Sequence, residues 1–249
     1  AGGYYVIQAL FDDQTDLSTS NISETNAYYA YTFLSIIGVL IGMYLSNVVQ
    51  KPGFIALFIL VVALGYFQAT TLKGLFFIGA LVKPLLLSFS IFIIAFFDLF
   101  PATYDQNREM MTLLFSIMKD YALFVFLIQF IRELIKETEH SISHTSHANG
   151  TLLYYMGVQK TNYCLALLLI FPSLYLVYYT LVYLLASNLF ISVIFVSVAV
   201  IAPMLIGGIK IVQATQSKEY HQINTLLKYV LLLGVFSIVI ITYNISQNV

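Results

Sequence analysis

Tryptophan is absent from the chain, and cysteine occurs once, at Cys164. A lone cysteine excludes an intramolecular disulfide, and without tryptophan the aromatic role at a membrane boundary falls to tyrosine alone, as at Tyr28, Tyr29, Tyr31, Tyr154 and Tyr155. Charge is scarce too. Asp, Glu, Lys and Arg together make up 9% of the residues, and 11 basic against 12 acidic side chains leave a net charge of −1. That balance offers no basic footprint, so no nucleic-acid partner is expected. The chain also lacks the roughly ten-residue segments of alternating hydrophobicity that a membrane β-barrel shows, and no signal peptide is visible.

What is present is apolar sequence in quantity. Hydrophobic residues make up 60% of the 249 positions and the mean hydropathy is +0.88, which excludes an ordinary soluble domain. Continuous apolar stretches of about 20 residues recur along the chain, and in hydrocarbon only helices or closed barrels satisfy every backbone group. The sequence therefore predicts an all-α, polytopic transmembrane helical bundle in a lipid bilayer, a single domain over residues 1–249. Helices are expected near 28–50, 53–72, 75–100, 108–136, 163–183, 187–214 and 223–246, after a short apolar stub at 1–11. Because that stub begins at Ala1 rather than at a methionine, an N-terminal part that includes a whole helix is expected to be missing.

Lys and Arg set the expected orientation. Lys73, Arg132, Lys136, Lys160, Lys210, Lys218 and Lys228 fall at or near helix ends on one side, against Lys51 and Arg108 on the other. By the positive-inside rule the first side is cytoplasmic. The acidic loop 12–26 and the long polar segment 137–162 then face the same compartment.

Two constellations of acids carry the chemistry. In the first, Gln8, Asp12 and Asp16 are four apart, with Asp13 beside them; in the second, Glu133 and Glu137, and then His140 and His144, are again four apart, with Glu139 between. Side chains at that spacing share a helix face. Carboxylates so placed can hold a hard divalent cation, and Mg²⁺ typically completes its shell with substrate phosphates. Lys73, Arg132 and Lys136 could neutralise the remaining phosphate charge. The same acids also read as helix-end caps and as solvation of a loop. His140, His144 and His147 would share a face and could hold Zn²⁺ if helical, but the segment SISHTSHANG favours a solvated loop. Lys83, Asp98, Lys119 and Asp120 lie within apolar runs, where they are costly unless paired or facing a cavity. Gly38 and Gly42 form a G-x-x-x-G packing signal, and Pro84, Pro172 and Pro203 predict kinks.

The order of these features resembles the UbiA superfamily of intramembrane prenyltransferases. An Asp-bearing helix end is followed by YFQATTLK (Tyr66 to Lys73), by RELIKETE from Arg132, by TLLYYMGVQKT, and by QSKEYHQINTLLKYVLLLG near the C-terminus, so the resemblance spans nearly the whole chain. It implies nine helices around a lipid-accessible cavity, of which about eight are present. It also implies an Mg²⁺ diphosphate site fed by a first motif N-D-x-x-D-x-x-x-D and a second within R-E-x-x-K-D-x-E-D-x-x-G-D. Asp12 and Asp16 match the later acids of the first motif, while Gln8 and Ala9 replace its Asn and first Asp. Arg132, Glu133, Lys136 and Glu139 match the second, Glu137 replaces an Asp, and His140 and His144 stand where acids are expected.

The resemblance thus implies catalytic and Mg²⁺-binding roles for Asp12, Asp16, Glu137 and Glu139, and diphosphate contacts from Lys73, Arg132 and Lys136. The implied activity is transfer of an isoprenoid chain from a polyprenyl diphosphate to a hydrophobic acceptor, aromatic or lipid. Its implied place is a bacterial inner (cytoplasmic) membrane, with both motif loops facing the cytoplasm. The ligands lost from both motifs imply an alternative, a catalytically inactive UbiA-fold protein serving as a lipid-binding or structural subunit of a membrane complex. A small transporter or channel is a third reading, for which the sequence shows no internal repeat and no pair of broken helices.

Overall fold

A computed structural model describes residues 24–70, 76–143 and 151–248. Among the described residues there is no strand, and six helices are long and apolar enough to cross a bilayer: Tyr28–Val48, Gly79–Leu99, Arg108–Ser143, Leu152–Leu185, Phe190–Gln213 and Ser217–Gln247, with a shorter apolar helix at Pro52–Gln68. Large apolar side chains stand outward on several of them, among them Phe33 at 65% exposure, Leu167 at 68% and Phe171 at 69%. Such surface belongs against lipid tails rather than water. The chain is an all-α polytopic integral membrane protein. Two compact units divide it, one ending at Ala122 and one running from Leu123.

The first unit opens with α1 (Glu24–Val48), then a single 3₁₀ turn (Pro52–Phe54), α2 (Ile55–Thr70) and α3 (Phe76–Ile94), which runs on into a π turn at Ala95–Leu99. The α1–α2 connection is tight because Gln50 takes a left-handed backbone, φ 58°, which lets the Lys51 N–H reach back to the Ser46 carbonyl at 2.9 Å. Pro52 then starts the 3₁₀ turn, where its missing N–H costs nothing. Phe54 meets Phe96, Phe97 and Phe100 at ring-centroid distances of 6.0, 5.4 and 5.8 Å. Of the two glycines in the G-x-x-x-G signal, only Gly42 is used among the described residues. A Cβ there would collide with the Phe58 ring, whereas one on Gly38 would meet nothing.

Helix α4 (Arg108–Ser143) has 36 residues, about 54 Å at 1.5 Å per residue, and crosses from the first unit into the second. There it runs antiparallel to α8 (Ser217–Asn248). Phe124 lies against Gly234, Arg132 against Asn224, and Ser143 against Ser217 at 2.8 Å, so each step along α4 is a step back along α8. Ile128, Ile131, Leu134 and Ile135 on α4, and Ile223, Leu227 and Val230 on α8, are at most 2% exposed. Their spacing of three and four builds a continuous apolar stripe on each helix.

Between these lie α5 (Leu152–Tyr179), widened at Thr180–Leu185, then α6 (Phe190–Val196), a π turn at Ser197–Ile201, and α7 (Ala202–Gln213). Gly207 of α7 lets three helices close up, since a Cβ there would sit 3.3 Å from Leu226 of α8 and 3.5 Å from Leu169 of α5. A second cluster, Leu184, Leu189, Val196 and Ile201, packs with Ile241. Of the three prolines expected to kink helices, Pro203 sits where the π turn gives way to α7, while Pro84 and Pro172 lie inside helices that carry on past them. The break in α5 falls instead at Gly157, with φ 72° and ψ 169°.

The boundaries differ most in the polar segment 137–162, which the sequence places in a loop. Residues 137–143 continue α4 and residues 152–162 open α5, leaving only 144–150 outside the described residues. Thr151 starts α5 by accepting the Tyr154 N–H on its hydroxyl at 3.3 Å, an N-cap. Similarly α8 starts at Ser217 rather than near 223, because the Glu219 carboxylate reaches back to the N–H groups of Thr215 and Gln216 at 2.7 and 2.9 Å.

Candidate functional site

The polar residues of the second unit collect where α4 ends and α8 begins. On α4, Gln129 donates its amide to the Glu133 carboxylate at 2.9 Å and accepts from the Arg132 Nη1 at 2.7 Å. These contacts follow from helix geometry, which makes neighbours of residues three and four apart. The Arg132 Nε crosses to α8 and donates to the Asn224 side-chain oxygen at 3.0 Å, so the guanidinium is held on two sides and the acid, amide, cation and second amide form one chain.

About two turns further along α4, the Glu139 carboxylate meets His221 Nδ1 on α8 at 3.0 Å, with His221 68% exposed and Glu139 20%. A pair this open to solvent contributes little stability but marks where α4 faces α8. Glu137 lies two residues before Glu139, about 200° around the helix, so the two carboxylates leave α4 in different directions. Glu137 instead shares a face with Glu133, one turn back. Glu133, Lys136 and Glu137 are all half-buried. Three ionisable side chains partly withdrawn from solvent on two turns of one helix are expensive in a membrane protein and mark a site of interest.

A second polar group sits beside it. The Tyr220 hydroxyl of α8 donates to the Asn162 side-chain oxygen of α5 at 2.6 Å, and the Asn162 amide donates to the Ala214 carbonyl between α7 and α8 at 2.7 Å. Tyr220 is 0% exposed and Asn162 2%. This network fixes the turn against α5.

Of the residues the sequence singles out, the structure thus places Arg132, Glu133, Lys136, Glu137 and Glu139 on the last turns of α4. Asp12, Asp16, Lys73, His144 and His147 lie outside the described residues, while His140 is helical, on α4. In the first unit Lys83 is half-buried on α3 and Asp98 is exposed on the π turn; on α4, Lys119 is exposed and Asp120 half-buried. Sequence reasoning did not single out Gln129, Asn224 and His221. The i, i+3, i+4 spacing of Gln129, Arg132 and Glu133 could have revealed the first; nothing local to Asn224 or His221 announces a partner more than 80 residues away.

The oxygen donors of Glu133 and Glu137 suit a hard cation, but two carboxylates on one face are fewer than a protein-built site needs. Among the described residues no group of three or more His, Cys, Asp or Glu side chains could hold a metal ion. Comparison with family models, with curated proteins and with solved structures finds no match to the chain.

Proposed function

We propose that the chain is a UbiA-like integral membrane prenyltransferase, which takes an isoprenoid chain from a polyprenyl diphosphate and passes it to a hydrophobic acceptor, aromatic or lipid. The supporting observation is the cluster on the last turns of α4. In a chain with 9% charged residues, Arg132, Lys136, Glu133 and Glu137 are gathered within two turns, half-buried, beside an amide network that fixes the arginine. A preset guanidinium is suited to bidentate capture of a phosphate. By the resemblance, Lys73 adds charge, and Asp12, Asp16, Glu137 and Glu139 would hold the Mg²⁺ that neutralises the diphosphate, although Glu139 leaves α4 in a different direction from Glu137 and faces His221. The motif loops would face the cytoplasm, at a bacterial inner membrane.

A second reading has its own observation. Glu139 is already engaged by His221, and Arg132 by Gln129 and Asn224, as in a catalytically inactive UbiA-fold protein whose old site has become a structural joint within a membrane complex.

Thermal stability of the full-length protein in detergent, with Mg²⁺ and geranylgeranyl thiodiphosphate alone and together, separates the two. Ligand bound only by the folded state raises stability with the logarithm of its concentration over Kd. The first reading expects a shift that needs both components and that Asp12→Ala or Glu137→Ala abolishes. No shift at saturating concentration overturns it for this donor and favours the second.

A further inference from the structure

We propose that the polar end of the second unit binds the phosphate headgroups of anionic phospholipids through a rim of four lysines: Lys160 on α5, Lys210 on α7, and Lys218 and Lys228 on α8. All four are exposed, and none carries an ion pair or hydrogen bond among the described residues. Three stand at one level. The bond from Asn162 to the Ala214 carbonyl brings the Lys160 turn of α5 beside the α7–α8 connection, and Lys210 and Lys218 each lie four residues from Ala214 on either side of it. Lys228 is ten residues further along α8, about 15 Å at 1.5 Å per residue.

The acids that could balance this charge are used elsewhere. Glu219 caps α8 through the Thr215 and Gln216 N–H groups, and Glu139 faces His221. Among the described residues, the rim therefore presents four positive charges without a protein counter-ion.

What lies along each helix beyond its lysine, away from the polar end, decides the occupant. On α5 the exposed residues after Lys160 are Tyr163, Leu167 and Phe171; on α7 those before Lys210 are Leu205, Ile206 and Ile209; on α8 those after Lys228 are Tyr229, Leu232 and Leu233. On α7 and α8 the lysine thus stands near the edge of a lipid-facing surface, on α8 with Tyr229 beside it, whereas on α5 exposed apolar side chains flank Lys160 on both sides, with Tyr154, Tyr155, Met156 and Val158 before it and Tyr163 after it. A lysine at that depth lays its stem along hydrocarbon and lifts its ammonium into the headgroup layer, where anionic lipids supply the complementary charge. A soluble phosphate would gain only the same exposed ammonium groups in water, where screening is strongest. The rim shares no residue with the diphosphate site proposed above and stands whether or not that site is active.

The full-length protein, reconstituted in phosphatidylcholine vesicles with spin-labelled phosphatidylglycerol or spin-labelled phosphatidylcholine, gives the motionally restricted fraction of each lipid. The wild type is expected to prefer phosphatidylglycerol several-fold at low salt, with the preference falling as sodium chloride rises. Joint replacement Lys160→Gln, Lys210→Gln, Lys218→Gln and Lys228→Gln brings the two lipids to parity, and the four corresponding Lys→Arg replacements retain the preference. Parity in the wild type, an unchanged preference in the glutamine variant, or loss in the arginine variant overturns the proposal. So does displacement of phosphatidylglycerol by sodium diphosphate well beyond sodium chloride of equal ionic strength, which assigns the rim to soluble phosphate instead.

Discussion

The Tyr220 hydroxyl donates to the side-chain oxygen of Asn162 at 2.6 Å, joining α8 to α5 in a fully buried setting. Asn162 also donates to the Ala214 carbonyl at 2.7 Å, and Tyr220 has that same carbonyl at 3.1 Å as a second acceptor. The two partners are therefore unequal. Asn162→Ala ends two bonds and leaves the Ala214 carbonyl only the longer contact from Tyr220, for a loss of about 1–3 kcal/mol. Tyr220→Phe removes one donor and leaves the asparagine its carbonyl partner, for about 1 kcal/mol. Reversible unfolding in mixed detergent should rank them in that order, and equal losses would remove Asn162 from the centre of the network.

At Gly157 the backbone takes φ 72°, yet a Cβ there would meet no atom within 4 Å. Conformation, not crowding, reserves this position for glycine. Gly157→Ala is expected to cost about 1–3 kcal/mol, because φ 72° with ψ 169° is a region essentially reserved for glycine. Gly53 is also open but has no positive φ, so Gly53→Ala should leave stability nearly unchanged. If the two substitutions behave alike in the same unfolding experiment, the break in α5 is not a fixed feature of the fold.

That break also explains an orphan. Buried hydroxyls on these helices commonly donate to the carbonyl four residues back, as Thr138 does to Leu134 and Ser173 to Leu169, each at 2.8 Å. For Thr161 the residue four back is Gly157, whose backbone departs from helical geometry, and among the described residues its buried hydroxyl has no partner. Thr161→Val, which keeps the shape and removes the stranded oxygen, should be neutral or raise stability by up to about 1 kcal/mol. Thr138→Val should lower it. A clear loss at Thr161 would mean that its hydroxyl is satisfied by an ordered water.

Hydropathy made the membrane-crossing segments legible, because lipid demands a continuous apolar surface, but it marked where the apolar surface stops and not where helices end. Glu137 and Glu139 read as the start of a loop beyond a helix ending at 136, although Glu and Lys are good helix formers and α4 carries them to Ser143. The polar start of α8 was lost in the same way, its cap being the single carboxylate of Glu219. At the candidate site, the i, i+4 spacing correctly put Glu133 and Glu137 on one face. The spatial partners Asn224 and His221 had no signature, since a pairing across more than 80 residues is set by helix packing and leaves no local pattern.

Gly234 on α8 lies directly over the Phe124 ring of α4, where an added Cβ would overlap ring carbons. Glycine is needed here for approach and not for conformation. Gly234→Ala should therefore cost about 1–3 kcal/mol through overpacking, and the smaller, flexible side chain of Phe124→Leu should recover most of it. A double-mutant cycle on unfolding free energy measures that coupling. Additive effects would show that the two helices can separate at this point at little cost.

The Arg132 guanidinium reaches Asn224 through Nε at 3.0 Å and Gln129 through Nη1 at 2.7 Å, so Asn224 directs a side chain that the proposed function assigns to phosphate. Asn224→Leu removes the side-chain acceptor on α8, leaving the backbone carbonyl of residue 224 at 3.4 Å, without touching a proposed ligand. Loss of a hydrogen bond to a charged group should lower unfolding stability by about 1.5–3 kcal/mol, whatever the protein does. The two readings diverge in the second measurement. If Arg132 receives diphosphate, the stabilisation by Mg²⁺ with geranylgeranyl thiodiphosphate should shrink in the variant, because a guanidinium that has lost its shortest bond to α8 is less firmly preset. If the wild type shows the shift and the variant keeps it undiminished, Arg132 is a structural strut between α4 and α8, and phosphate must be met by other cations such as Lys136.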